Sequence, residues 1–250
     1  MIVETEEDLI RLKDIGRICA TAVKTMAAAL EPGITTRELD LIGRKLLEDN
    51  GAQSAPELCY QFPGATCISV NEEIAHGIPG DRVIKAGDLV NIDVSAEKLG
   101  YFGDTGSSFI VTPGTTKQER LLRDGKRALW VGLNQVKTGR PLADIGNSIG
   151  AFARKNRYTL ITNLASHGVG RSLHEEPTEL STWPDPDETR IMEEGLVFTV
   201  EPFLSLGGQW AEDGDKDDWT LFSEPRAPTV QFEHTIVVTK NGPLVLTLAE

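Results

Sequence analysis

Apolar side chains recur at helical spacing through the first fifty residues, at Leu9, Leu12, Ile15, Ile18, Ala22, Met26 and Leu30, which places them on one face of an amphipathic helix. Thr5 followed by Glu6, Glu7 and Asp8 suits the amino terminus of that helix, and Pro32-Gly33 ends it. Thr35 with Glu38 three residues on predicts a capping box, after which Leu39, Ile42, Leu46 and Leu47 continue a second helix until Gly51 supplies a stop. From Thr66 to Val111 the pattern changes to short β-rich runs, TCISV, LVNIDVSA and YFGDTGSSFIV, the last two forming a hairpin around Glu97 to Gly100. The order then repeats. Helical patterns run from about Lys117 to Val136 and again after Pro141, with Ile145, Ile149 and Phe152. LITNLAS, LVFTVEPFL, VQFEHTIVV and PLVLTLA read as strands, and a long polar stretch from Gly207 to Pro228 separates two of them. The expected architecture is α+β, its antiparallel strands gathered into one sheet with helices outside. HGIP at 76 to 79 and HGVG at 167 to 170 fall in corresponding places of the two halves, so a single domain duplicated as about 1–112 and 113–250 is expected.

Composition narrows the function classes. At 40% hydrophobic the 250 residues can bury a full core, and 38 acidic against 25 basic residues give a net charge of −13, which repels phosphate backbones and argues against nucleic acid as a direct partner. No apolar run approaches the roughly 20 residues that span a bilayer. The amino terminus is acidic where a secretory signal is basic, so a cytoplasmic protein is expected. Cys19, Cys59 and Cys67 are odd in number and form no CxxC, which indicates reduced thiols.

The sharpest chemical signal is carboxylates inside apolar strands: Asp93 in LVNIDVSA, Glu201 in LVFTVEPF, Glu233 in VQFEHTIVV, and Asp104 in the strand that partners Asp93. Any one of them could face water on a half-exposed strand. For all four the flanking residues leave little polar face, and carboxylates gathered in a core repel unless cations neutralise them. Four carboxylates with a histidine suit two divalent ions such as Mn, Fe or Co, whereas structural zinc favours Cys and His, and calcium favours oxygen alone. His167 and His174 lie too far apart in SHGVGRSLHEEP for an HExxH helix. The segment reads as a glycine-loosened loop that aims two imidazoles into one cleft. His234, next to Glu233, points to the opposite strand face and reads as structural. The GVG is a lone GxG without the dinucleotide fingerprint, and Walker and GxSxG motifs are absent.

The ordered set CISVNEEIAHGIP, NIDVSA, GYFGDTG, SHGVGRSLHEEP, FTVEPF and QFEHTIVVT resembles the type I methionine aminopeptidases, a family of pita-bread metallopeptidases, over nearly the whole chain. The resemblance implies that Asp93, Asp104, His167, Glu201 and Glu233 hold two divalent metals (Co, Mn, Fe or Zn), Asp104 and Glu233 bridging. It further implies that Glu201 acts as the proton-transfer group and that His76 and His174 contact substrate. Phe62, Cys67 and Trp219 fall near the family's methionine pocket, while Leu173 stands where many bacterial members carry an aromatic residue. The implied activity is removal of the initiator methionine from nascent proteins when the second residue is small and uncharged. The short bacterial form fits best, since the type II insertion and an amino-terminal zinc-binding extension are absent. A proline-specific aminopeptidase of the same fold is the enzymatic alternative; those relatives usually carry an extra amino-terminal domain, for which the pattern here begins too early. A non-catalytic peptide- or partner-binding protein is the other, and such proteins lose ligands that this chain keeps. Nascent-chain termini are the expected partners, with a transient ribosome contact, and with no large apolar helix face left over a monomer is expected.

Overall fold

The computed structural model describes residues 1–249. Helix α1 (Glu6–Ala29) begins at Thr5, whose hydroxyl accepts from the Asp8 amide while the Asp8 carboxylate accepts from the Thr5 amide. Helix α2 (Thr36–Asp49) starts with the predicted box, Thr35 and Glu38 bonding reciprocally. The apolar stripe of α1 is buried: Leu12, Ile15 and Met26 are wholly inaccessible, and truncating any of them to Ala would cost roughly 2–5 kcal/mol. It packs on β4 (Leu89–Lys98) and β5 (Tyr101–Ile110), the predicted hairpin, which turns through Leu99 and Gly100. Ahead of the hairpin come β1 (Gln53–Ser54), α3 (Ala55–Tyr60), β2 (Cys67–Val70) and β3 (Glu73–Ala75). β1 and β2 pair antiparallel with β4.

In the second half, α4 (Thr116–Leu133) and α5 (Ala143–Asn156) pack against one another over a second apolar cluster that includes Leu129, Ile145, Ile149, Phe198 and Ile236. The strands follow as β6 (Thr159–Leu160), β7 (Ser166–Gly168), β8 (Glu175–Leu180), β9 (Val197–Val200), β10 (Phe203–Ser205), β11 (Trp210–Asp213), β12 (Leu221–Glu224), β13 (Thr229–Gln231), β14 (His234–Thr239) and β15 (Gly242–Val245). They do not form the single expected sheet. The described strands divide into a four-stranded ladder around β4, a five-stranded ladder β15-β14-β9-β7-β8, and two three-stranded ladders, β13-β10-β6 and β11-β12-β3.

The division has local causes. LVFTVEPFL breaks at Glu201-Pro202, where proline has no amide to give a ladder. VQFEHTIVV breaks at Phe232-Glu233, so β13 and β14 join different sheets. LITNLAS is a strand only at its two ends, and PLVLTLA only as far as Val245. The polar stretch from 207 to 228 contains the hairpin β11-β12, which pairs with β3. The two halves are joined where β5 meets the break after β13: the Glu233 amide donates to the Gly106 carbonyl, and the Thr105 hydroxyl to the Glu233 carbonyl.

Candidate metal centre

Asp93 and Asp104 reach the same face of the β4-β5 hairpin. Asp93 sits opposite Gly106 and Ser95 opposite Asp104, so with side chains alternating in direction the two acids are diagonal neighbours. Glu201 and Glu233 are not inside strands as expected; each occupies a break, just after β9 and just before β14. Freed from alternation, both point at the hairpin. His167 lies in the middle of β7, and all five residues line one cavity of about 420 Å³ together with Phe62, Cys67, His76, Leu173, His174 and Trp219. Every candidate named from the sequence is therefore in one place. His234 is on the other side, its Nδ1 2.9 Å from the Thr247 hydroxyl.

The Gly168 carbonyl assigns a tautomer to the His167 ring. Its Nδ1 lies 3.0 Å from the Gly168 carbonyl, which can only accept, so Nδ1 carries the proton and Nε2 a lone pair. That lone pair faces Asp104 Oδ2 at 3.7 Å and Glu201 Oε1 at 3.6 Å. A lone pair opposed to carboxylate oxygens is repulsive unless a cation lies between them. Two buried oxygens nearby, Asp104 Oδ1 and Glu233 Oε1, have no hydrogen-bond partner, although such groups are normally satisfied. Ligand atoms of Asp104, His167 and Glu233 all lie within 4.8 Å of one another. One imidazole lone pair and two neighbouring carboxylates, each with a buried oxygen left unbonded, form a donor set that fits a divalent ion.

Without that charge the acids bind protons more tightly than free carboxyls do. Burial, moderated by hydrogen bonds from its neighbours, raises Asp93 to about 6. Burial and then the Asp93 charge raise Glu201 to about 8. Asp104 and Glu233 rise well above the usual range, first from burial and then from neighbouring carboxylates. Burial, followed by the nearby His174, lowers His167 to about 3, and His174 and His76 are also lowered by burial. All three imidazoles are thus neutral at pH 7.

Three further residues order the centre and escaped the sequence reading. Gln231, almost wholly buried, donates from Nε2 to Glu233 Oε2 at 2.9 Å and to Asp93 Oδ2 at 3.3 Å, while its Oε1 accepts from Asn91 at 2.8 Å. Thr199 accepts from the His167 amide and donates to Glu201 Oε1 at 2.9 Å. Tyr60 places its hydroxyl 2.7 Å from His174 Nδ1. Gln231 had a sequence signal, standing two positions from Glu233 and so on the same face of the strand expected over VQFEHTIVV; the other two had none. His76 adopts φ 53, a left-handed conformation that is uncommon outside glycine and clusters at functional sites. The next residue must be glycine, since a Cβ on Gly77 would stand 2.3 Å from the Ile68 carbonyl oxygen. On the apolar wall Phe62 meets Trp219 edge-to-face at 5.3 Å between ring centroids.

The model of metallopeptidase family M24 matches residues 11–240. A methionine aminopeptidase of Staphylococcus epidermidis is 48% identical over 248 residues, covering 99% of this chain and 98% of that protein. Methionine aminopeptidase 2 of Bacillus subtilis is 44% identical, covering 99% of each. Among solved structures, methionine aminopeptidase from Rickettsia prowazekii superposes with a TM-score of 0.94 at 34% identity, covering 99% of this chain and 100% of that one.

Proposed function

Because the chain belongs to metallopeptidase family M24 and carries the pita-bread fold of the methionine aminopeptidases, we propose that it removes the initiator methionine from nascent polypeptides whose second residue is small and uncharged. The observation that carries this reading is the grouping of Asp104, His167 and Glu233, whose ligand atoms lie within 4.8 Å of one another in one cavity and whose two carboxylates each keep a buried oxygen without a hydrogen-bond partner. Asp93, Asp104, His167, Glu201 and Glu233 would hold two divalent ions. When bound, such ions supply Lewis-acid polarisation of a carbonyl and a water acidified to about neutral pH.

The chain's own groups do the rest. Glu201 takes the proton of the attacking water and passes it to the leaving amine, a role open to a carboxylate that lines the same cavity as the other ligands. Neutral His174 donates a hydrogen bond to the carbonyl oxygen as it gains charge. His76, held by its left-handed backbone, orients the peptide. Phe62, Cys67, Leu173 and Trp219 give the methionine thioether an apolar, polarisable surround. Residues 1–250 act in this reading as one catalytic domain of two pseudo-repeats, a monomer working in the cytoplasm on emerging chain termini, with transient ribosome contact. No described helix is long and apolar enough to cross a membrane.

Hydrolysis rates of metal-loaded protein across Met-X peptides test the proposal. They should fall sharply from Gly, Ala or Ser to Leu, Lys or Glu at X. Equal turnover of Met-Gly and Met-Leu peptides, or a preference for X-Pro peptides, would contradict it.

A further inference from the structure

Tyr60 is the last residue of α3, a short helix opened by the Ser54 hydroxyl and closed by Gln61 in the left-handed conformation, φ 57. The residue is 45% exposed, so burial alone does not account for an aromatic residue there. Its hydroxyl nevertheless makes one specific contact across 114 residues of sequence, 2.7 Å to Nδ1 of His174, with the two rings 5.6 Å apart and tilted by 59°. Both side chains line the cavity that holds the carboxylates.

A neutral imidazole has one N–H and one lone pair, and the direction of this bond decides which nitrogen keeps the proton. A phenol is a good O–H donor and a poor acceptor, because its lone pairs delocalise into the ring, whereas an imidazole nitrogen is a good acceptor. The separation agrees: about 2.7 Å is usual for an O–H donor and short of the ~2.9–3.0 Å usual for N–H. We infer that Tyr60 is a positioning residue whose hydroxyl occupies His174 Nδ1 and so keeps the proton on Nε2, as the donor to the substrate carbonyl. The inference rests on the role proposed above for His174. Without Tyr60 the ring distributes its proton over both nitrogens, and in the wrong tautomer it presents a lone pair to an oxygen that is gaining negative charge.

Tyr60→Phe keeps the ring and removes the hydroxyl. In the zinc-loaded, diamagnetic protein, ¹⁵N spectra of the His174 ring should show Nε2 protonated and Nδ1 unprotonated, and Tyr60→Phe should shift both resonances toward a tautomer mixture. Metal content, Tm and KM should stay near their starting values while kcat falls about threefold to tenfold, the size of one neutral hydrogen bond. On a His174→Ala background Tyr60→Phe should change kcat no further. Protonated Nδ1 in the unsubstituted protein, an unchanged kcat in Tyr60→Phe, or an equal loss on both backgrounds would overturn the inference. If His174→Ala is impaired and Tyr60→Phe is not, only Tyr60 loses its role. If His174→Ala keeps full kcat, the proposed part of His174 fails first and the inference falls with it.

Discussion

Gly106 lies on β5 opposite Asp93, and a single methyl group there tests whether the Gln231 amide holds the acid cluster in register. Its backbone is not among the positive-φ glycines, so alanine suits the local conformation and the perturbation is steric. A Cβ at this position would stand 2.2 Å from Gln231 Oε1 and 2.5 Å from Nε2. An exposed glutamine would swing aside at little cost, but this amide is pinned by Asn91, Glu233 and Asp93. If the strands yield and the bonds survive, overpacking costs about 1–3 kcal/mol. If all three bonds break, one neutral and two to carboxylates, the loss reaches roughly 4–7 kcal/mol. The expected outcome for metal-loaded Gly106→Ala lies between, about 3 kcal/mol, or a Tm lower by roughly 6–12 °C for a chain of this size. Metal affinity should weaken about 10- to 100-fold, as when other groups that orient metal-binding side chains are disturbed. Calorimetric melting and a metal titration read the two effects. On a Gln231→Ala background the clash is absent, and the same substitution should cost under about 1 kcal/mol. An equal cost on both backgrounds, or an unchanged Tm and metal affinity in Gly106→Ala, would refute the reasoning.

Other outcomes follow from the same geometry. Asp93 and Glu201 have folded pKa values raised by burial to about 6 and about 8, so the stripped folded protein binds protons that the unfolded chain releases. The stability these two acids contribute is then complete below about pH 4 and is lost as pH rises through about 8; melting curves of stripped protein should show this slope and metal should flatten it. Metal uptake near pH 7 should expel protons, measurable as a signal that scales with buffer ionisation enthalpy. His174→Ala should retain its metal by elemental analysis while kcat falls about 10²- to 10³-fold, whereas Asp104→Ala should fail to hold the metal pair. Thr199→Val removes the donor to Glu201 Oε1 and the acceptor for the His167 amide, and should weaken metal binding with little change in the substrate preference of whatever loaded fraction remains.

The helices were legible because their evidence is local: apolar spacing and a polar residue three positions from its capping partner are both contained within one segment, and α1 and α2 begin where those signals stand. The β4-β5 hairpin was legible for the same reason. Sheet membership was not, because it is decided by partners far along the chain. β12 pairs with β3 across nearly 150 residues, and its sequence, Leu-Phe-Ser-Glu, carries no alternation to announce a strand. The carboxylates were found because acids in apolar runs are conspicuous, yet the reason they converge was misread: Glu201 and Glu233 reach the centre because their strands break, not because they run through. Tyr60 illustrates the limit from the other side. Nothing near it in sequence distinguishes it from an ordinary surface aromatic, and its significance comes wholly from His174, which the fold brings to it.

The central claim is that the buried acids and His167 form a divalent-metal centre on which peptide hydrolysis depends. Exhaustively stripped protein titrated with Mn(II), with bound metal and hydrolysis of a Met-Gly peptide followed in the same samples, tests this most directly. Activity should be absent at the start, rise in step with bound metal and level off at about two ions per chain. Full hydrolysis by protein shown to be metal-free, or metal bound at this centre without any hydrolysis of the peptide, would contradict it.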